Sequence, residues 1–115
     1  MSLAIKLLPE TLRTAAFGAV AAGYSAVGTA LAHPCSIFIL QNATDAGTLW
    51  SLDGVNDHFF LPVGGFLLLD LTTNKTLPQG AFIGQGTTIY VKRSAGAPTL
   101  GAVYVSALYG ANGNG

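Results

Sequence analysis

The stretch NATDAGTLWSLDGVNDHFFLP, residues 42–62, sets three aspartates and a histidine between short apolar runs. Asp45, Asp53, Asp57 and His58 are either a metal site or acid/base pair, or turn residues between strands. The apolar runs favour strands. TLWSL (48–52) puts Leu49 and Ser51 on one face and Trp50 and Leu52 on the other, the two-residue period of a half-buried strand. DHFFL (57–61) ends at Pro62, Asp53-Gly54 is a strong hairpin signal, and Asn56-Asp57 adds a second turn-tolerant pair. Asn42, Thr44 and Asp45 are loop formers whose side chains bond their own backbone.

The chemical alternatives lack ligands. A calcium loop needs about six to eight oxygens at alternate positions and a late Glu, whereas Asp53 is followed by Gly54, Val55 and Asn56. Zinc needs three or four N, S or O ligands, and His33, Cys35 and His58 are the only N or S candidates. His33 and Cys35, two apart, share a face of an extended segment, but Pro34 separates them and no orienting third group is evident. Cys35 reads as a small buried hydrophobe. GAFIGQG (80–86) does not open a helix, so it is no phosphate loop. No cofactor is implied.

The strand pattern continues outward. CSIFIL (35–40), TTIYVKR (87–93) and AVYVSALYG (102–110) are rich in β-branched and aromatic residues. GFLLLDL (65–71) is a continuous apolar run, as expected of a strand covered on both faces; Asp70 within it is placed to cap the turn TTNKTLPQG that follows. Turn signals at short intervals indicate an all-β sandwich or barrel. Residues 13–33 are Ala-rich but broken by glycines, so Thr14–Val20 is read as a strand and the rest as an irregular connection.

That Ala-rich segment also mimics a secretory signal, with Lys6 and Arg13 before it and ALAHP (30–34) resembling a cleavage site. Its hydrophobicity is weak for the roughly 20 residues of a membrane span, and Gly18, Gly23, Gly28, Tyr24, Ser25 and Thr29 interrupt it. It is read as part of the folded domain, with no membrane involvement. The sequons at Asn42 and Asn74 matter only in a secreted chain.

Charge is the unusual quantity. Of 115 residues 50% are hydrophobic and only 9% are Asp, Glu, Lys or Arg, against about 25% in an ordinary soluble domain. Five bases and five acids give zero formal net charge, and Lys92-Arg93 is the only basic pair, so no nucleic-acid footprint exists. Such a surface is either rich in small polar residues or covered by other chains, with assembly the main expectation. LAIKLLP (3–9) puts Leu3, Ile5 and Leu7 on one face of an extended segment. It is either an arm that adds to a partner's sheet edge or the first strand of this sandwich. Leu3, Ile5, Leu7 and Leu8 are the candidate partner-interface residues. The expected organisation is an arm at 1–12, a sandwich at 13–110 and a flexible tail at 111–115.

IFILQNATDAGTLWSLDGVNDHFFLPVGGFLLLDLTTNK (37–75), FIGQGTTIYVKR (82–93) and APTLGAVYVSALYG (97–110) together resemble small virion proteins of tailed bacteriophages. The shared elements are an N-x-T-D loop, an S-x-D-G hairpin, a G-T-x-I-Y-V-K strand and a closing G-x-V-Y-V…Y-G, spanning about residues 36–110. The resemblance implies a jelly-roll-like antiparallel β-sandwich and no catalytic residues; the extended N-terminal arm is the reading of residues 1–12 themselves. It implies a decoration or cement protein that bridges capsid subunits, or else a neck or tail component. The implied partners are the major capsid protein, other virion proteins and further copies of the chain, and the implied location is the virion. A glycan-binding module using Trp50, His58, Phe59 and Tyr90 is the less favoured alternative, and an enzyme the least.

Overall fold

The computed structural model describes residues 5–70 and 83–112, with side chains from Leu7 to Asp70 and from Ile83 to Gly110. Leu3, the turn at 72–80 with its sequon, and residues 113–115 lie outside the described residues. The strands are β1 (Ile5–Pro9), β2 (Arg13–Ala16), β3 (Ser25–Ala26), β4 (Cys35–Asn42), β5 (Thr48–Ser51), β6 (Phe59–Leu61), β7 (Phe66–Asp70), β8 (Tyr90–Arg93) and β9 (Ala102–Asn112). A single 3₁₀ turn, Phe17–Ala19, follows β2.

The strands form two antiparallel sheets. Sheet A runs β1-β9-β4-β7, with β2 also on β9, and sheet B runs β3-β8-β5-β6. If the chain is doubled back at the β5–β6 loop, the strands pair two by two. β5 meets β6, β4 meets β7, β3 meets β8 and β2 meets β9. The doubled ribbon then rolls so that β9 joins β4 and β8 joins β5. That is jelly-roll winding, and the all-β sandwich read from the sequence is what forms. β1 is additional to the eight wound strands.

Alternation sets the core. Phe38 and Leu40 of β4, Trp50 of β5, Val91 of β8, and Val103 and Val105 of β9 are fully buried between the sheets. The irregular segment after β2 closes one side of the barrel. Val20, Val27 and Leu31 reach the core, and the backbone N–H groups of Val27 and Leu31 donate to Ile89 and Thr87. The Ala-rich stretch is therefore sandwich wall, strand over Arg13–Ala16 and Ser25–Ala26, with a 3₁₀ turn after the first. Small residues are what allow a chain without a regular ladder to lie this close to two sheets.

Two local expectations need correction, and one open reading is resolved. β7 is covered on one face only. Leu67 and Leu69 face the core, while Phe66 and Leu68 remain 67% and 52% exposed at the edge of sheet A. A continuous apolar run also arises when a second layer is missing from one side. Asp53-Gly54 does not make a two-residue hairpin; it lies in a seven-residue loop between Ser51 and Phe59, because Asp53 collects the loop's amides rather than closing the ladder. The N-terminal segment is the first strand of the chain's own sheet, Ile5 lying opposite Asn112 and Pro9 opposite Leu108. β4 pairs β9 only as far as Tyr109, so the β1–β9 ribbon extends past β4.

Candidate functional site

Of the opening aspartates, Asp53 and Asp45 bind loop amides and Asp57 binds side chains. Asp53 Oδ1 accepts from the amides of Val55 and Asn56 at 2.8 Å each and from Ser51 Oγ at 2.8 Å. These bonds, the Asn56 amide foremost, hold its carboxyl well below the usual carboxylate range. Gly54, at φ +77°, makes the turn and lies against the Tyr90 ring. Asp57 accepts from the Tyr24 hydroxyl at 2.5 Å and pairs with Lys92 at 3.3 Å. Tyr24's bond lowers the Asp57 carboxyl, and Lys92 in turn sits over the Tyr24 ring. Asp45 accepts from the Thr99 amide at 2.7 Å and from the Thr99 hydroxyl, which ties two loops together and lowers its pKa. His58 Nδ1 accepts the Leu52 amide at 3.0 Å. Among the described residues no three His, Cys, Asp or Glu side chains converge on a metal position.

Asn42 of the first sequon is 1% exposed. Its Nδ2 donates to the carbonyls of Ala46, Leu61 and Pro62, and its Oδ1 accepts from Thr44. This one amide joins the β4–β5 loop to the corner where the chain passes from sheet B to sheet A.

A second polar knot holds the break between β1 and β2. The Glu10 carboxylate, 4% exposed, accepts from Arg13 Nη2 at 2.7 Å, the His33 amide at 2.8 Å, His33 Nδ1 at 2.9 Å and the Ala32 amide at 3.2 Å. Burial alone would raise its pKa, but these donors prevail and lower it to about 2. Arg13 continues to the carbonyls of Thr29 and Ala30, and the His33 ring stacks on Tyr109 at 3.6 Å. Cys35 is fully buried below, its Sγ 3.7 Å from Glu10 Oε2 and 3.3 Å from the His33 carbonyl. Burial and the neighbouring carboxylate push the thiol up to about 11. Glu10 thus holds both His33 and Cys35, in a latch built of neutral thiol, carboxylate and guanidinium. Nothing in the sequence reading identified Glu10. The available signal was that Glu10 and Arg13, with Lys6, are the only charges before Asp45.

With the polar groups spent in turns and latches, the remaining site candidates are surfaces, and the two outer faces differ. On sheet B, Tyr90, Lys92, Leu49 and Phe60 point outward, bordered by Asp53, Asp57 and His58. On sheet A the register aligns Phe66 with Gln41 and Tyr104, Leu68 with Ile39 and Ser106, and Asp70 with Ile37 and Leu108. Asp70 is the one charged side chain in those rows. Leu12 and Leu7, 53% and 42% exposed, continue the apolar surface toward the β1–β9 ribbon. Leu12, Phe66 and Tyr104 border a groove of about 370 Å³ floored by Gln41 and the Gly64-Gly65 corner.

The proposed interface leucines therefore separate. Leu3 lies outside the described residues, Ile5 is placed by its backbone pairing alone, Leu7 is exposed opposite Gly110 and Leu8 is half-buried opposite Tyr109. The larger apolar surface, Phe66 with Leu68, was missed because their run was read as interior. Of the aromatics considered for glycan stacking, Trp50 is fully buried, with Nε1 donating to Thr48 Oγ1 at 2.8 Å, and Phe59 packs on the core. In comparisons with known proteins, no family model, curated protein or solved structure matches the chain.

Proposed function

We propose that this chain is a non-enzymatic structural subunit of a tailed-phage particle, one that cements or decorates the shell by bridging neighbouring subunits. The observation that carries the reading is the outer face of sheet A. Antiparallel sheets in a free-standing sandwich commonly keep one face wet and polar; the outer face of sheet B carries Lys92 and is bordered by Asp53, Asp57 and His58, whereas the described rows of sheet A carry one charge, Asp70. A monomer rarely presents a contiguous apolar patch beyond a few hundred Å² without a binding role.

Jelly rolls serve many functions, so the virion context rests on the sequence resemblance, and the low charge and rigid turns are compatible with it. The mechanism is geometric. Apolar side chains on a preformed sheet lose water against a neighbour at roughly 25 cal/mol per Å², less the cost of association. Repetition over a symmetric shell then turns weak contacts into avidity. A neck or tail position uses the same surface at a different copy number.

Purified particles from cells carrying the gene provide the test. Quantitative mass spectrometry is expected to find the chain in the particle fraction, at hundreds of copies for a shell role and about a dozen for a cyclic neck ring. Absence from particles while the protein accumulates in the cytosol would refute the reading.

A further inference from the structure

We infer that the outer face of sheet A is a two-fold contact with a second copy of this chain, sheet packed on sheet. The inference rests on the assembly reading only in taking this face as a functional contact, and it names the first partner.

Three observations select a second copy. The first is charge. A partner with a strongly basic or acidic surface would be matched by opposite charge here, yet among the described residues the outward rows of β9, β4 and β7 are apolar or uncharged, such as Tyr104, Ile39, Phe66 and Leu68, apart from Asp70 at a corner. A near-neutral face can meet its own copy about a two-fold axis without setting like charges against each other near the axis. The outer face of sheet B, with Lys92 on it and Asp57 and Asp53 at its border, carries charges of both signs.

The second is shape. An antiparallel sheet packs face to face on another at about 10 Å, its side chains interdigitating as they do inside a sandwich. The groove between Phe66 and Tyr104, over Gln41, has room for a large side chain, and Phe66, at 67% exposure, is the knob that stands beside it. Knob and hole on one face satisfy the self-complementarity of a two-fold contact.

The third is area. Strands about 4.8 Å apart and roughly five residues long give β2, β9, β4 and β7 a face on the order of 300 Å² in projection. Side chains standing on it, with Leu12 and Leu7 at the margin, bring the accessible area to roughly 600 Å² a side. Two copies then bury roughly 1,200 Å², the lower bound for a stable, specific interface. The face is sufficient for a dimer and small for a large obligate partner.

Sedimentation equilibrium of the full chain tests this. At about 100 µM, above the weak limit that such an area supports, the wild type is expected at twice the chain mass of 11.7 kDa. Leu68→Lys and Leu68→Glu, each placing a charge on an exposed position, are both expected to be monomeric. Phe60→Lys, equally exposed at 55% but on the outer face of sheet B, is expected to leave the dimer intact. Near-UV circular dichroism checks that each variant is folded, and Phe66→Thr replaces Leu68→Lys if that variant is not.

A monomeric wild type, a trimer or higher species, a folded Leu68→Lys or Leu68→Glu that remains dimeric, or dissociation by Phe60→Lys would each overturn the inference. Its failure is separable from that of the functional reading. A dimer absent from particles refutes only the virion role, and a monomer recovered on particles refutes only the two-fold contact.

Discussion

Glu10 is a single carboxylate doing the work of a helix cap in a protein without α-helices among its described residues. It satisfies two backbone amides, a guanidinium and an imidazole in one buried position. Because its folded pKa, about 2, lies below the ordinary value of 4.5, the unfolded chain binds more protons between those limits. The stabilisation is therefore complete above about pH 5 and is lost as pH falls toward 2. Asp45, Asp53 and Asp57 are lowered as well, so the acid limb of the wild type is shared. Glu10→Gln isolates one contribution. The variant is expected to lose about 3 kcal/mol at pH 7, since Arg13 is left buried without its counter-charge, and to show a shallower loss from pH 5 to pH 3. Urea midpoints across that range check both, and parallel profiles for variant and wild type would remove Glu10 from the account. Gly101 is the second residue with no substitute. It has φ +89°, and a Cβ there would sit 2.1 Å from the Ala43 carbonyl oxygen, in the backbone loop that Asp45 ties to Thr99. Gly101→Ala is expected to cost about 3 kcal/mol or more, read as a lowered urea midpoint, whereas Gly96→Ala, with open space around its Cβ position, serves as the tolerated control.

At the scale of elements, the jelly-roll winding uses β2 to β9, and β1 lies outside it. Its described side chains leave Leu7 and Pro9 exposed and Leu8 half-buried. Deleting residues 1–8 is therefore expected to leave a cooperatively folding sandwich, less stable by about 1–2 kcal/mol for the apolar surface uncovered. Urea denaturation followed by near-UV circular dichroism measures this, and a truncated chain without a cooperative transition would make β1 part of the core. How far these elements were legible follows from what local sequence encodes. β4, β5, β8 and β9 announced themselves through alternation and β-branched residues, and Asp53, Asn56 and Asp57 through turn chemistry. β3 is two residues long, too short for any period. The pairing of β1 was open between two readings because its partner, Asn112, lies at the far end of the chain. β7 was misjudged for a different reason. Phe66 to Leu69 are apolar on both faces, and a sequence records that a face is to be dry without recording which chain dries it. The Glu10 latch was hidden because its partners, Arg13, His33 and Cys35, are brought together only when β1, β2 and the wall segment converge.

For the whole molecule, the winding that builds the apolar face also sets how it can form. Closing the β2–β9 ladder joins Arg13 to Val105, and closing β4–β9 joins Phe38 to Ala107. The chain must lose most of its loop entropy before either ladder gives anything back. Among the described strands only β5 and β6 are neighbours by a short loop, and a lone hairpin of three pairs is not stable in water. Nucleation therefore requires β5–β6 to be joined by β8 and by the opposite sheet, which brings non-local strands into the transition state. Folding is expected on the millisecond-to-second scale of sandwiches with distant pairings rather than in microseconds. Trp50, the only tryptophan and fully buried at the centre of sheet B, reports the event directly in stopped-flow refolding. Its fluorescence is expected to change together with far-UV circular dichroism in one cooperative phase. A microsecond phase carrying most of the Trp50 amplitude would show that sheet B closes before sheet A is assembled, and the doubled-ribbon winding would not be the folding unit. The slow search also has a consequence for a sequence with so few charges. While β7 and β9 are open, their apolar rows are available to any other copy, and little net charge keeps copies apart. Refolding yield should therefore fall with protein concentration at constant denaturant. The loss should be smaller for Leu68→Lys, which places a charge in the row that becomes the outer face of sheet A.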